Sequence, residues 1–394
     1  MYASLAAFAA LVFFYSLISE RIERSLSGPI FFVAIGAMLG PLGIGWFSPT
    51  EDAVNGKALI DITLALFLFA DAANADLKVL RSNWRIPGRM LLLGLPMSMV
   101  LGAALALVLF PELSLYEMAI LGVMLAATDA ALGKAVVTNQ SVPAHLREGL
   151  SAESGLNDGL CVPFLLLFVA LESGAAARGE GVALELLSEE LGIGVLVGAV
   201  VSAVAAKGLL AARTAGWLGH VWQRMTVPAL AILIFALAQS FHGSGYIAAF
   251  VGGLCFRAAM QEDVHSMLLS AEAEGELLAM CAWVLFGMML LPAALPHIGG
   301  AELVYALLSL TVVRVLPIML SLAGTGEPPA SRAFLAWFGP RGLASLAFAT
   351  IVWSEQIPGA GTIIAVTILT VGLSLVAHGL TARPFADWLA RQHA

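Results

Sequence analysis

The residues able to do chemistry gather in one stretch, Glu153-Ser154-Gly155-Leu156-Asn157-Asp158, inside the apolar run between Arg147 and Ser173. That run is long enough to cross a bilayer. Charge at bilayer depth is strongly penalised, so an ionisable side chain there reads as functional. Ser154 and Asp158 are four apart and share one helix face; Glu153 and Asn157 share the adjacent one. A second polar pair, Thr128-Asp129, lies in the preceding apolar run. Burial raises a carboxylate's pKa and a nearby cation lowers it. A carboxylate in this setting therefore releases a proton and binds a cation in turn. Asp158 is the expected carrier. Asp129, Thr128 and Ser154 would add the oxygen ligands that hard cations require. For the hydroxyls the plainer alternative is a bond to the carbonyl one turn earlier. Asn157 is neutral where a second acid could stand, so one proton would exchange for one monovalent cation and the cycle would be electroneutral.

Such residues need a membrane scaffold, and the composition supplies it. Of 394 residues 60% are hydrophobic and 12% charged, with a mean hydropathy of +0.93. Soluble domains carry roughly 25% charge. The net charge of -8 gives no basic footprint for nucleic acid. Cys161, Cys255 and Cys281 are scattered through apolar runs, with no disulfide or metal spacing. The first apolar run lacks a basic leader and a cleavage site, so it is expected to be retained as a span.

Thirteen apolar segments follow one another, near 3–19, 28–47, 58–75, 89–110, 115–138, 148–172, 183–210, 226–241, 245–260, 276–295, 301–322, 332–353 and 360–381. The acidic connection 261–275 reads as an interfacial or solvated helix, and no soluble regulatory domain or tail is expected. Fifteen lysines and arginines fall in the odd connections and the C-terminal tail, and two, Lys57 and Arg178, in the even ones. That bias places the N-terminus outside and the C-terminus in the cytoplasm. The fold class is therefore an all-α polytopic membrane protein of a single transmembrane domain, 1–394. Repeat one would cover about 1–175, a linking helix about 183–210, and repeat two about 226–381. Equivalent spans are then seven apart and run in opposite directions, which is an inverted-topology repeat. The fifth span carries Thr128-Asp129 and the twelfth Gly339-Pro340-Arg341-Gly342, so both are expected to be discontinuous.

Five stretches together resemble the monovalent cation–proton antiporter family, in its sodium/proton exchanger branch with the Asn-Asp motif, prokaryotic type. They are Ala127-Thr128-Asp129, Ala152 to Gly159, Trp337-Phe338-Gly339-Pro340-Arg341-Gly342, Gly243 to Gly253, and Leu68-Phe69-Ala70-Asp71. Their order is collinear over nearly the whole chain. The resemblance implies exchange of Na+, or Li+ or K+, for H+ by alternating access, with roles in pH homeostasis and a homodimer in the cell (inner) membrane. It implies that Glu153 and Arg341 form a structural ion pair across the core, and it makes Asp71 a candidate for gating or relaying ions, the plainer alternative being a solvated interfacial acid near the inner end of the third span. A buried acid and base cost less together than apart. Ala130 stands where the family usually has proline, which leaves open where the fifth span breaks. The roles of Lys134 and Arg314 stay open as well. No nucleotide site is expected, since there is no Gly-x-x-x-x-Gly-Lys motif, and no cofactor.

Two other classes fit less of the sequence. An intramembrane aspartyl enzyme would use two aspartates sharing one proton, but Glu153, Asn157 and Arg341 would then have no task. A channel would usually draw a symmetric pore from several subunits, whereas an inverted repeat in one chain favours a carrier that is not an enzyme. His220, His242, His265, His297 and His378 are placed near loops or span ends, His145 in a connection and His393 in the tail. They are candidates for tuning pH sensitivity near neutrality, and the plainer reading is of satisfied or solvated residues, because no pair has metal-ligand spacing.

Overall fold

In a chain this apolar, backbone N–H and C=O groups must find partners within their own segment, and the helix is the element that satisfies them. A computed structural model describes residues 2–23, 27–45, 53–74, 84–129, 132, 134–137, 139–177, 180–260 and 265–393, and its regular elements are all helical. They are α1 (Tyr2–Glu23), α2 (Gly28–Leu39), α3 (Ala53–Asn74), α4 (Arg85–Leu109), α5 (Leu115–Met124), α6 (Lys134–Val137), α7 (Ala144–Ala177) and α8 (Glu180–Thr214). After them come α9 (His220–Ser240), α10 (Gly245–Met260), α11 (265–297), α12 (Gly300–Ser321), α13 (Pro329–Trp337), α14 (Leu343–Ser354) and α15 (Ala360–His393). The fifth span is α5 with α6, the twelfth is α13 with α14, and the other elements match the expected spans one for one. Large apolar side chains such as Val108 (75% exposed), Val204 (66%) and Leu196 (63%) face outward, as a lipid-facing surface requires.

One boundary differs from the sequence reading. The acidic stretch before the tenth span is not a separate interfacial helix where it is described. Residues from His265 onward form the first turns of α11 itself. Its acids, spaced along a helix whose neighbours are apolar, do not stop the backbone from propagating.

The helices sort into two bundles, and the sorting follows the repeat. α1, α2 and α3 pack with α8, α9, α10 and α11. Tyr246 Oη donates to Asp61 at 2.7 Å across α10 and α3, and Asn74 Nδ2 donates to Glu272 at 2.7 Å across α3 and α11. α4, α5 and α7 pack with α12, α13, α14 and α15. Here Tyr305 Oη donates to Gly102 O at 3.0 Å, and Ser345 Oγ to Met124 O at 2.8 Å. Each bundle thus takes three spans from each half of the chain, with α8 added to the first. α4 and α12, equivalent under the seven-span offset, each contain a π-helical turn, Met90–Gly94 and Ser309–Val313. The bundles meet where α7 lies against α3, α8 and α10, where α14 lies against α3, and where α15 lies against α2 and α11.

Candidate functional site

The fifth and twelfth spans are both interrupted in mid-course. The chain leaves the helix after Met124 and runs non-helically through Asp129, and residues 338–342 separate α13 from α14. The two irregular segments cross and close on each other. Asp129 N–H donates to Pro340 O at 2.8 Å. Asp129 Oδ2 accepts from the first N–H of α14, Leu343, at 2.9 Å, and Oδ1 accepts from Leu132 N–H at 3.3 Å. A carboxylate at a helix N-terminus satisfies an orphan donor and meets the positive end of the helix dipole. Gly342 is needed for this approach, because a Cβ there would lie 1.9 Å from Oδ2. The sequence reading made Asp129 a cation ligand. The structure engages both its carboxylate oxygens with backbone donors, which fastens the crossing and keeps the carboxylate within electrostatic reach of Asp158.

α7 supplies the next layer. Asn157 Oδ1 accepts from Thr128 N–H at 3.3 Å, a donor that the break deprives of a helical partner. Its Nδ2 donates to Glu153 Oε1 at 3.2 Å and, in a shorter contact, to Thr128 Oγ1. Thr128 Oγ1 also sits 3.2 Å from Ser154 Oγ. Thr128, Ser154 and Asn157 therefore form one buried hydrogen-bonded group.

Glu153 is paired, but with a different arginine from the one expected. Arg314 Nη1 and Nη2 hold Glu153 Oε1 and Oε2 at 2.7 and 3.1 Å, a two-pronged contact buried on both sides. Arg314 directly follows the π turn of α12. One extra residue in a turn rotates the following helix face by about 100°, and that face carries the guanidinium into the core. Arg341 is fully buried in the crossing, where Nη1 donates to Gly339 O at 3.0 Å. Its Nε and Nη2 have no hydrogen-bond partner among the described residues. The reading that paired Glu153 with Arg341 is corrected accordingly. Both arginines carried the same signal, a base at membrane depth, and spacing in sequence does not say which of two reaches a given acid.

Asp158 adjoins this network through the Thr128 backbone, with one oxygen left over. Its Oδ1 is buried and has no hydrogen-bond partner among the described residues. A buried polar atom of that kind is rare and calls for an explanation. Across the bundle boundary Asp71 of α3 approaches α7: a Cβ at Gly155 would be 3.4 Å from the Cβ of Asp71. Asp71 is half-buried and lies within electrostatic reach of Asp129, and Asp158 within reach of both. A cavity of about 20 Å³, room for one water, adjoins Ser154 and is lined also by Val136, Val137, Leu150, Ser151, Phe338 and Pro340.

Sequence reasoning missed His378. It is buried at 2% exposure in the interior of α15, not at a span end. Its Nε2 lies 3.0 Å from Trp337 O, the last carbonyl of α13, and its Nδ1 3.1 Å from Ser374 Oγ. Ser374 Oγ in turn accepts from Arg341 N–H at 2.7 Å. α15 thus closes the backbone groups that the second break opens. Ala130 and the Lys134 side chain, open questions in the sequence, lie outside the described residues, as do Arg178 and the Lys57 side chain.

Comparison with known proteins agrees with the fold. The family model described as sodium/hydrogen exchanger, transmembrane, matches residues 7–388. A K+/H+ antiporter NhaP of Alkalimonas amylolytica is 24% identical over 384 residues, covering 96% of this chain and 65% of that protein. A Na+/H+ antiporter NhaP of Pseudomonas aeruginosa is 28% identical over 355 residues, covering 83% of this chain and 80% of that one. The chain thus spans less than two thirds of the first of these relatives. Among solved structures, the sodium proton antiporter MjNhaP1 from Methanocaldococcus jannaschii at pH 8 superposes with a TM-score of 0.80. Identity is 20%, and the match covers 98% of this chain and 99% of that one.

Proposed function

This chain belongs to the sodium/hydrogen exchanger family, and on that premise we propose that it is a secondary antiporter exchanging a monovalent cation for H+ across the membrane. The observation that carries the reading is the buried, unpartnered Oδ1 of Asp158, set beside two crossing helix breaks at the boundary of two bundles. A carboxylate there takes a proton or a cation, but stays poorly satisfied with neither. The neighbouring charges are already committed: Glu153 to Arg314, Asp129 to the α14 terminus. Asp158 is then the single titrating group of the exchange, and one H+ replaces one cation without net charge movement. Ser154 and Thr128 line its surroundings with hydroxyls, and Asp71 faces it from the other bundle.

Alternating access follows if the bundle holding α7 moves against the bundle holding α3 and α10. The domain organisation is one transmembrane unit of two inverted repeats joined by α8. The protein acts as a homodimer in the cell (inner) membrane, N-terminus outside and C-terminus cytoplasmic. Na+ is the favoured cation, with Li+ possible as a second substrate. K+ is the second reading, because the relative from Alkalimonas amylolytica carries that name. Neither a cofactor nor catalysis of a covalent reaction enters this cycle.

The test uses purified protein in vesicles with a trapped pH dye and an imposed pH gradient. Sodium, lithium, potassium and choline are added in turn to wild type and Asp158→Asn. Alkali-cation-dependent dissipation by wild type alone, unchanged when the membrane potential is clamped, is the expected result and names the cation. Silence of wild type toward every alkali cation would sink the reading.

A further inference from the structure

On either side of Asp158 the boundary between the bundles is built differently. α3 and α10 run parallel there: Tyr246 meets Asp61, and Gly253 meets Phe69 seven and eight residues further on. α7 runs the opposite way, with Gly155 against Asp71 and Gly159 against Phe250. Asp158 therefore lies between two levels. Toward the C-terminal end of α3 the groups are polar and increasingly exposed: Asp71 is half-buried, and Asn74 and Glu272, hydrogen-bonded at 2.7 Å, are exposed. Toward the other end the first group met is the ring of Phe250, buried at 8% exposure. It lies so close to the residue after Asp158 that a Cβ on Gly159 would be 2.1 Å from the ring. Beyond it stand Ile247 and Tyr246, both buried, and the Tyr246–Asp61 hydrogen bond.

We propose that the Phe250 ring, seated on the bare Cα of Gly159, is the barrier that closes the Asp158 site toward the Asp61–Tyr246 end while the Asp71 end admits ions. This rests on the antiport reading and names the residue that keeps its two half-reactions coupled. An apolar constriction stops ions and protons by excluding water. An exchanger needs such a closure, because a site wetted from both ends passes protons with no cation in return. The contact also joins the two bundles, since Phe250 belongs to one and Gly159 to the other. Movement of α7 along α10 breaks it, which makes the barrier removable in the transport cycle. Gly159 has no side chain because the ring occupies that space.

The experiment reads proton leak in vesicles containing choline as the only added cation, with a trapped pH dye. Wild type, Phe250→Ala, Phe250→Leu, Gly159→Ala and the double variant Phe250→Ala/Gly159→Ala are compared, each shown to be monodisperse in detergent. Wild type and Phe250→Leu are expected to hold the gradient. Phe250→Ala is expected to lose it several-fold faster, and the double variant more slowly than Phe250→Ala, because the new methyl refills part of the gap. A merely structural role would not produce that rescue. Phe250→Ala holding the gradient like wild type overturns the proposal, as does a double variant that leaks no less than Phe250→Ala. If Phe250→Ala is not monodisperse, Phe250→Val takes its place with the same expected order. Sodium or potassium added to the wild-type vesicles separates the two readings: no response there removes the antiport assignment, while the order of leaks still decides the barrier.

Discussion

α7 and α15 are equivalent helices, the sixth and thirteenth spans, and each stands beside a broken helix, yet they treat the break differently. α15 offers Ser374 and His378, which take up Arg341 N–H and Trp337 O, and its other buried hydroxyls, Thr367 and Thr370, donate to carbonyls of their own helix at 2.8 and 2.7 Å. Each of these polar groups has a partner. α7 offers Asn157 to Thr128 in the same way, but also carries Asp158, with an oxygen that has none. The fold repeats and the chemistry does not. One break is closed as structure; at the other, the closing amide sits next to a carboxylate left available. A repeat architecture can thus place two equivalent breaks in one core and leave an unpartnered carboxylate oxygen beside only one of them.

The strongest way to break that contrast is through the charges buried around α7. Arg314→Ala takes the two-pronged guanidinium partner away from Glu153 in the core, and removing one partner of a buried pair costs about 3–5 kcal/mol. Arg341→Ala removes a guanidinium whose Nε and Nη2 have no hydrogen-bond partner among the described residues. The expected order of thermal stability in detergent is wild type, then Arg341→Ala, then Arg314→Ala, with the last poorly folded. The reverse order would mean that Arg341, not Arg314, neutralises Glu153 in the working protein.

Much of this was legible beforehand because intramembrane polarity is a strong signal. Ser154 with Asp158, and Glu153 with Asn157, were placed on shared faces from spacing alone, and the structure bonds Asn157 to Glu153 and sets Thr128 of the preceding span against Ser154 and Asn157. Both helix breaks showed in Thr128-Asp129 and in Gly339-Pro340-Arg341-Gly342, where polar or helix-breaking residues interrupt an apolar run. What stayed hidden depended on rotation about a helix axis. The π turn at Ser309–Val313 turns Arg314 toward Glu153, and nothing in Ser-Leu-Thr-Val-Val announces an extra residue in the turn. The backbone contact of Asp129 was hidden as well, because its partner is the N–H of Leu343, and such donors are absent from any count of side chains. His378 looked peripheral because the thirteenth span was ended at 381, whereas α15 continues to His393.

A smaller effect sharpens the comparison on the α7 side. Asn157→Ala withdraws the acceptor of Thr128 N–H and one donor to Glu153. A buried donor left unsatisfied costs about 1–3 kcal/mol. Because Thr128 is held by this amide at both its N–H and its hydroxyl, exchange should weaken as well as stability, with the apparent KM for the cation rising more than the maximal rate falls. Dye-based exchange across a cation titration, beside melting in detergent, checks both. A lowered melting temperature with unchanged KM would reduce Asn157 to a structural role.

The counterpart on α15 should move stability alone. His378→Ala takes away the group facing Trp337 O and the ring lying 5.3 Å from the Trp337 ring, while Trp337 Nε1 keeps its bond to Thr381 Oγ1 at 2.9 Å. The loss is again of the order of one unsatisfied buried carbonyl, about 1–3 kcal/mol, but no group that touches Asp158 is disturbed. The variant should melt earlier and exchange the same cation with the same KM. Its pH profile should follow that of wild type, because the imidazole is hydrogen-bonded in the α13–α15 contact and not in the ion path. A shift of that profile, with KM unchanged, would make His378 a pH-sensing group and would end the division of labour between the two helices: the break closed by α15 would then also answer to protons.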